Sequence, residues 1–189
     1  QDVLSGLPHG AELEFPSRGL CYSDGGLVID SAGVSFRGRN AGGQYNSFWL
    51  KFTDTGDALT INQPGFHTEG MLFVGASNQS TGFGNDVTHD CLNFVMPSVD
   101  CDSSHLNSGF FAFRDCATVK SAEARNFKFT NCLFSGSQRA FSYTATGTGA
   151  GRGFEFYSNR FHGIGREGHA RAAVLYFEPA SNTRGLIVS

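Results

Sequence analysis

Long apolar runs are missing from this chain of 189 residues. The longest good candidate, AAVLYF at 172–177, falls far short of the roughly 20 residues a membrane-spanning helix needs, so no membrane insertion is expected. Charge is sparse, at 16% of residues, and there are only 5 Pro, 2 Met and 1 Trp. No segment carries the period of a long amphipathic helix. The five cysteines, at 21, 91, 101, 116 and 132, are odd in number and include no CxxC pair. That spacing argues against a dense disulfide framework and gives zinc no ligand set. They read as reduced thiols serving as small buried hydrophobes, in a protein assembled in a reducing cytoplasm. No signal peptide is visible and the chain opens QDVLSGLPHG without a Met, so it reads as a piece of something longer.

What the chain has instead is glycine and phenylalanine, 25 and 19 residues, in short apolar bursts separated by turns. Many short strands are expected. Two segments nearly coincide: FKFTNCLFSG at 127–136 and FEFYSNRFHG at 154–163. Phe127 meets Phe154, Phe129 meets Phe156, Phe134 meets Phe161 and Gly136 meets Gly163, while Lys128 becomes Glu155 and Cys132 becomes Asn159. Constant apolar positions at a fixed period mark a stacked repeat, because one repeat cannot bury its inner face alone. Within each segment the Phe-x-Phe alternation sends both rings to one face of a strand. The two segments therefore read as equivalent strands on successive coils, their rings stacked inside.

The same logic overlays Leu27 and Ile29 on Leu59 and Ile61, and Val34, Phe36 and Gly38 on Met71, Phe73 and Gly75. The two offsets differ, as insertions in the turns would make them. Stretches rich in Gly, Ser and Asn at 76–89, 97–109 and 144–153 read as loops thrown out from the coil edge. None reads as a linker, so residues 1–189 are expected to form one domain.

The formal net charge of −3 hides an asymmetry. Residues 1–109 hold 12 acids against 4 bases, whereas residues 110–189 hold 10 bases against 5 acids. In a stacked repeat this places an acidic end opposite a basic one. The basic end either meets solvent or an acidic neighbour, or attracts an anionic polymer. Eleven of the 14 bases are Arg, which suits bidentate carboxylate recognition.

The opening LPHGAELEFPSRGLCYSDGGLVIDSAGVSFRGRN resembles the first coils of the pectate-lyase-like superfamily of right-handed parallel β-helices. Leu7, Pro8, His9, Gly10, Phe15, Pro16, Gly19, Tyr22 and Gly38 stand where that family's leader has its own motif residues. Ala11 replaces the usual second glycine, and Ser17 and Arg18 replace the more typical proline-glycine approach. The resemblance implies an all-β fold, a single-stranded right-handed parallel β-helix. Among its members the chain looks most like a bacteriophage tailspike or depolymerase. That implies a homotrimer carrying carbohydrate sites on its outer faces or between subunits. It would sit in the virion tail beside other tail proteins and act on bacterial surface polysaccharide at the host cell. The polygalacturonase set of paired aspartates is missing, and GREGHAR at 165–171 is only a faint echo of its Arg and His elements. No nucleic-acid partner and no cofactor are expected.

The candidate residues follow from chemistry. In VDCDSSH, extended backbone would point Asp100 and Asp102 to the same side, with Cα atoms about 6.6 Å apart. Their carboxyls would then fall within the roughly 5–9.5 Å used by glycosidase acid and base or nucleophile pairs. His105 is placed to orient either or to bind sugar hydroxyls. The competing reading is an Asp-Ser-Ser turn that caps backbone amides. Asp86, His89 and Asp90 have similar logic. Asn85, Asp86 and Asp90 offer oxygen donors for calcium, although no spacing forces a metal. Glu155 lies between two inward Phe residues and so points outward beside Tyr157. It is a further catalytic candidate, but Lys128 holds the same register one coil earlier, which makes a surface ion pair the stronger reading. Trp49, Tyr45, Tyr143, Tyr157 and Tyr176 are suited to stacking on sugar rings. Arg166, His169 and Arg171 form a basic cluster able to hold an acidic sugar or cap a turn. The expected activity is binding and glycosidase-type cleavage of a surface polysaccharide. Its rivals are a polysaccharide lyase or epimerase of the same fold, and a non-enzymatic glycan-binding adhesin or structural tail component.

Overall fold

A computed structural model describes residues 4, 6–16, 18–23, 27–39, 48–52, 59–74, 92–96, 101–106, 111–114, 118–121, 124–135, 139–145, 152–162, 173–177 and 184–189. Among the described residues the chain forms nineteen strands arranged in three sheets, and every pairing is parallel. The first sheet holds β1 (Glu12–Phe15), β4 (Ser35–Gly38), β7 (Phe66–Glu69), β10 (Cys101–Leu106), β13 (Ala124–Thr130), β16 (Arg152–Tyr157) and β19 (Arg184–Val188), in that spatial order. The second holds β2 (Gly19–Ser23), β5 (Phe48–Phe52), β8 (Met71–Val74), β11 (Phe111–Arg114), β14 (Leu133–Ser135) and β17 (Arg160–His162). The third holds β3 (Leu27–Ile29), β6 (Leu59–Ile61), β9 (Leu92–Met96), β12 (Thr118–Ser121), β15 (Arg139–Ala145) and β18 (Ala173–Phe177). Each inner strand thus pairs with the strand three before it and the strand three after it, and each edge strand with one of these. The expected all-β class holds, built from parallel sheets. No helix among the described residues is long and apolar enough to cross a membrane.

The sequence dictates this order through its Phe-x-Phe pairs. Phe127 and Phe129 of β13 are buried while Lys128 between them is exposed, and β16 repeats the pattern with Phe154 and Phe156. The register sets Phe127 against Phe154, Lys128 against Glu155 and Phe129 against Phe156, as the near repeat requires. Phe134 likewise pairs with Phe161 in the second sheet. Parallel in-register pairing brings like rings face to face: Phe129 and Phe156 stack at 5.2 Å with 6° between planes, and Phe134 and Phe161 at 5.3 Å with 16°. All three sheets converge on this ladder. Phe134 of the second sheet and Phe141 of the third meet Phe129 of the first edge-on, at 5.6 and 5.5 Å. Offset and edge-to-face contacts of this kind add to the stabilisation that burying the rings already provides. The core continues toward the N-terminal end through Phe66, Phe36 and Phe15, with successive centroids 5.2 and 5.3 Å apart.

The corners between sheets repeat too. Asn131 and Ser158 follow β13 and β16, and both adopt the left-handed conformation, with φ of 53° and 52°. Asn159 then ties one corner to the next. Its side-chain carbonyl accepts from the Cys132 amide at 2.8 Å, and its amide donates to the Phe129 carbonyl at 2.9 Å. A sheet corner leaves backbone groups unpaired, and this side chain satisfies two of them. At the other end the leader is pinned to the turn before β4. The Gly10 amide donates to Ala32 O at 2.8 Å, the Ala32 amide to His9 Nδ1 at 3.2 Å, and the Ser31 hydroxyl to Leu7 O. Leu4 and Leu7 pack against the core there.

Two sequence expectations need correction. Leu27 and Ile29 do pair with Leu59 and Ile61, but Phe36 pairs with Thr68, not Phe73. Met71 to Val74 belongs to the second sheet, beside β5, so the overlay of Phe36 on Phe73 joined different sheets. Thr68 is buried at 6% exposure in the place where the earlier strand has a ring, which hid the repeat. The second correction concerns the thiols. Cys132 is buried, and burial pushes its thiol up to about 12, so it stays protonated and inert at neutral pH. Cys21 is exposed, together with Leu20 and Tyr22, because β2 is an edge strand. Cys91 and Cys116 lie outside the described residues, and of Cys101 only the backbone is described.

Close stacking makes one glycine irreplaceable. A Cβ added at Gly38 would collide with the carbonyl of Gly70, the corner residue between β7 and β8, a backbone atom that cannot swing away. Gly38→Ala is therefore expected to destabilise by about 1–3 kcal/mol, the usual cost of overpacking. A denaturant midpoint unchanged from wild type would contradict that close approach.

Candidate functional site

Among the described side chains, strand alternation buries one face of the first sheet, chiefly rings, and leaves the other face chiefly polar. The pairings align the register positions of that second face in two rows that run across the strands, to which β10 contributes backbone positions alone. One row is Glu12, Ser35, His67, Ser104, Lys128, Glu155 and Ile187. The other is Glu14, Arg37, Glu69, Leu106, Thr130 and Tyr157. Neighbouring strands lie about 4.8 Å apart, so the longer row spans about 29 Å, the reach of an extended polymer rather than a small molecule.

The two ends of this face differ. Toward β1 two guanidinium groups pair with three carboxylates: Arg37 sits 3.2 Å from Glu12 and 3.2 Å from Glu69, and Arg39 binds Glu14. The hydrogen bond from Arg39, reinforced by its charge, holds the Glu14 carboxyl below its ordinary range and raises Arg39 in turn. These pairs are well exposed, so each contributes little to stability. Toward β19 the pairing differs. Lys128 Nζ lies 3.9 Å from Glu155 Oε2 and 5.0 Å from the centroid of the Tyr157 ring. The ammonium is thus held between a carboxylate and a ring face. Ile187, at 45% exposure, stands next in the row beyond Glu155.

The expected neighbours Lys128 and Glu155 are therefore in register and in contact on the outer face. With side chains 51% and 34% exposed, their pair is expected to couple by less than about 1 kcal/mol in a double-mutant cycle. Coupling well above that would show a pair far less hydrated than this geometry gives. The contact between Lys128 and Tyr157 was not expected. Tyr157 stands opposite Thr130, so its approach to Lys128 runs diagonally between the rows.

Other expected site residues are placed less fully. Trp49 lies half-buried on β5, between Leu20 and Leu72 in register, and so belongs to the second sheet. Asp102 and His105 belong to β10, of which the backbone alone is described. His105 holds the register position of Thr68 and Phe129, both buried. Asp102 sits where the pairing with β13 slips between Cys101 and Ser103. Tyr143 and Tyr176 have described backbone on β15 and β18. Asp100, Asn85, Asp86, His89, Asp90, Tyr45, Arg166, His169 and Arg171 lie outside the described residues. No group of three or more His, Cys, Asp or Glu side chains among the described residues is arranged to hold a metal ion.

Comparisons of the chain with protein-family models, with curated proteins and with solved structures returned no match.

Proposed function

We propose that this chain is part of a tailspike-like bacteriophage protein that binds and cleaves bacterial surface polysaccharide. Its strands wind as a single-stranded right-handed parallel β-helix in one domain, and the working form is a homotrimer docked to other tail proteins at the host cell surface. The observation that carries this reading is the third-strand sheet order with rings stacked in register, which gives a rigid scaffold with a long polar outer face. Rigid, flat, polar faces of that length suit polymers whose hydroxyls need fixed donors and acceptors. On the edge strand β19, Leu186 and Val188 occupy the register positions of Phe154 and Phe156 and are 45% and 57% exposed.

Cleavage is assigned to Asp100 and Asp102 as acid and base or nucleophile, with the chemistry of a glycoside hydrolase. A second reading, glycan binding without cleavage, gains support from Glu155, which is engaged by Lys128 rather than paired with a second carboxylate. One assay separates the two: the assembled protein incubated with intact capsule or O-antigen, scored for new reducing ends and for bound polysaccharide. New reducing ends establish the depolymerase, binding without them establishes the adhesin, and neither refutes both.

A further inference from the structure

The geometry points to Lys128, Glu155, Tyr157 and Ile187 as one sugar-binding subsite that reads a neutral pyranose through a hydroxyl bridging Lys128 and Glu155. This rests on the glycan reading above and narrows it, because the basic second half of the sequence suggests instead an acidic polymer held by charge.

The distance between the two side chains carries the argument. At 3.9 Å, Lys128 Nζ and Glu155 Oε2 attract one another but are too far apart for a direct hydrogen bond, whose donor and acceptor lie within about 3.2 Å. Among the described residues, the Lys128 ammonium makes this ion pair and the ring contact with Tyr157. An oxygen placed about 2.8 Å from both atoms subtends roughly 90° between them, close to the angle a hydroxyl uses when it accepts from one partner and donates to another. An ammonium only donates and a carboxylate only accepts, so the pair is complementary to a hydroxyl group. A carboxylate ligand would gain from Lys128 and lose to Glu155, since the pair is neutral as a unit.

The surroundings supply the rest of a sugar site. The Tyr157 ring holds the ammonium in place, so less freedom is lost when a ligand arrives. Ile187 beside Glu155 offers exposed apolar surface to the C–H face of a pyranose. Lys128, Glu155 and Ile187 lie on three adjacent strands, a span of about 10 Å, which suits one or two sugar units. Glu155 is on this account a binding residue, and the catalytic assignment stays with the aspartates.

The test uses a glycan array of neutral and uronate-containing capsule and O-antigen oligosaccharides, probed at low and high salt. Wild type is expected to favour neutral sugars, with affinity changing less than about twofold as salt rises and the Debye length falls from about 10 Å at 0.1 M to about 3 Å at 1 M. Lys128→Met and Glu155→Ala should each lower affinity about tenfold or more, the loss of a charge-assisted hydrogen bond. The swap Lys128→Glu with Glu155→Lys keeps one donor and one acceptor and should recover most of the affinity. The three variants change an exposed and a half-buried side chain, and circular dichroism checks that each folds. Variants that bind as wild type does, or binding confined to uronates and lost in salt, overturn the subsite while leaving the glycan reading standing. An array on which wild type binds nothing overturns both.

Discussion

Phe129→Ala is expected to lower the unfolding free energy by about 3–5 kcal/mol, at the upper end for a single core truncation. The ring is 1% exposed and touches all three sheets: it stacks on Phe156 at 5.2 Å and meets Phe134 and Phe141 at 5.6 and 5.5 Å. Removing it leaves a void bounded by three rings from three sheets, and parallel strands locked in register cannot close over it. Domains of ordinary stability have only about 5–15 kcal/mol in total, so this single change removes a substantial share of it. The denaturant midpoint should fall with the slope unchanged. The half-buried Phe161, on the edge strand of the second sheet, should cost less when truncated in the same way. A loss below about 1 kcal/mol at Phe129 would mean that the ladder is not the core.

The largest functional effect is expected at the proposed carboxylate pair. Asp100→Asn and Asp102→Asn should each reduce polysaccharide turnover by about 10²–10⁴-fold, because an amide neither donates a proton nor attacks carbon as a carboxylate does. Beside Asp102 the pairing of β10 with β13 slips: β10 advances two residues from Cys101 to Ser103 while β13 advances three from Ala124 to Phe127, so the extra residue belongs to β13, where Asn126 is left-handed. Binding of intact polysaccharide and thermal stability should stay near wild type in both variants. The assay belongs to the assembled protein, since a site shared between subunits is incomplete in one chain. Near-normal turnover in either variant would remove the pair and move the chemistry to Asp86, Asp90 or Glu155.

What the sequence made legible depended on which residues repeated. Phe127, Phe129 and Phe134 recur 27 residues later with nothing inserted between them, so both the pairing and the inward direction of the rings could be read directly. Lys128 and Glu155 followed as a consequence of the same register. The N-terminal repeats were harder. Thr68 takes the inner place opposite Phe36, while Met71 and Phe73 imitate the Phe36 pattern one sheet further on. Spacing alone favours the wrong partner there, because the short corner at Gly70 separates two strands that resemble one. The network joining Arg37 to Glu12 and Glu69 left no sequence signal either. Its members stand 25 and 32 residues apart, and only the sheet order shows that these unequal steps are both one strand wide. The exposure of Cys21 has a similar origin: nothing in GLCYS distinguishes an edge strand from an inner one.

The stacked repeat is tested most directly by a designed cross-link between neighbouring strands. Lys128→Cys and Glu155→Cys are introduced together, with the five native cysteines replaced by serine or alanine. In register on adjacent parallel strands their Cα atoms lie about 4.8 Å apart, within the roughly 4.4–6.8 Å a disulfide spans. Mild oxidation followed by mass spectrometry is expected to show an intramolecular bond between residues 128 and 155, formed without loss of strand content by circular dichroism. Two thiols that stay reactive to maleimide after oxidation of the folded protein would contradict the register, and with it the repeat on which the fold and the outer face both depend.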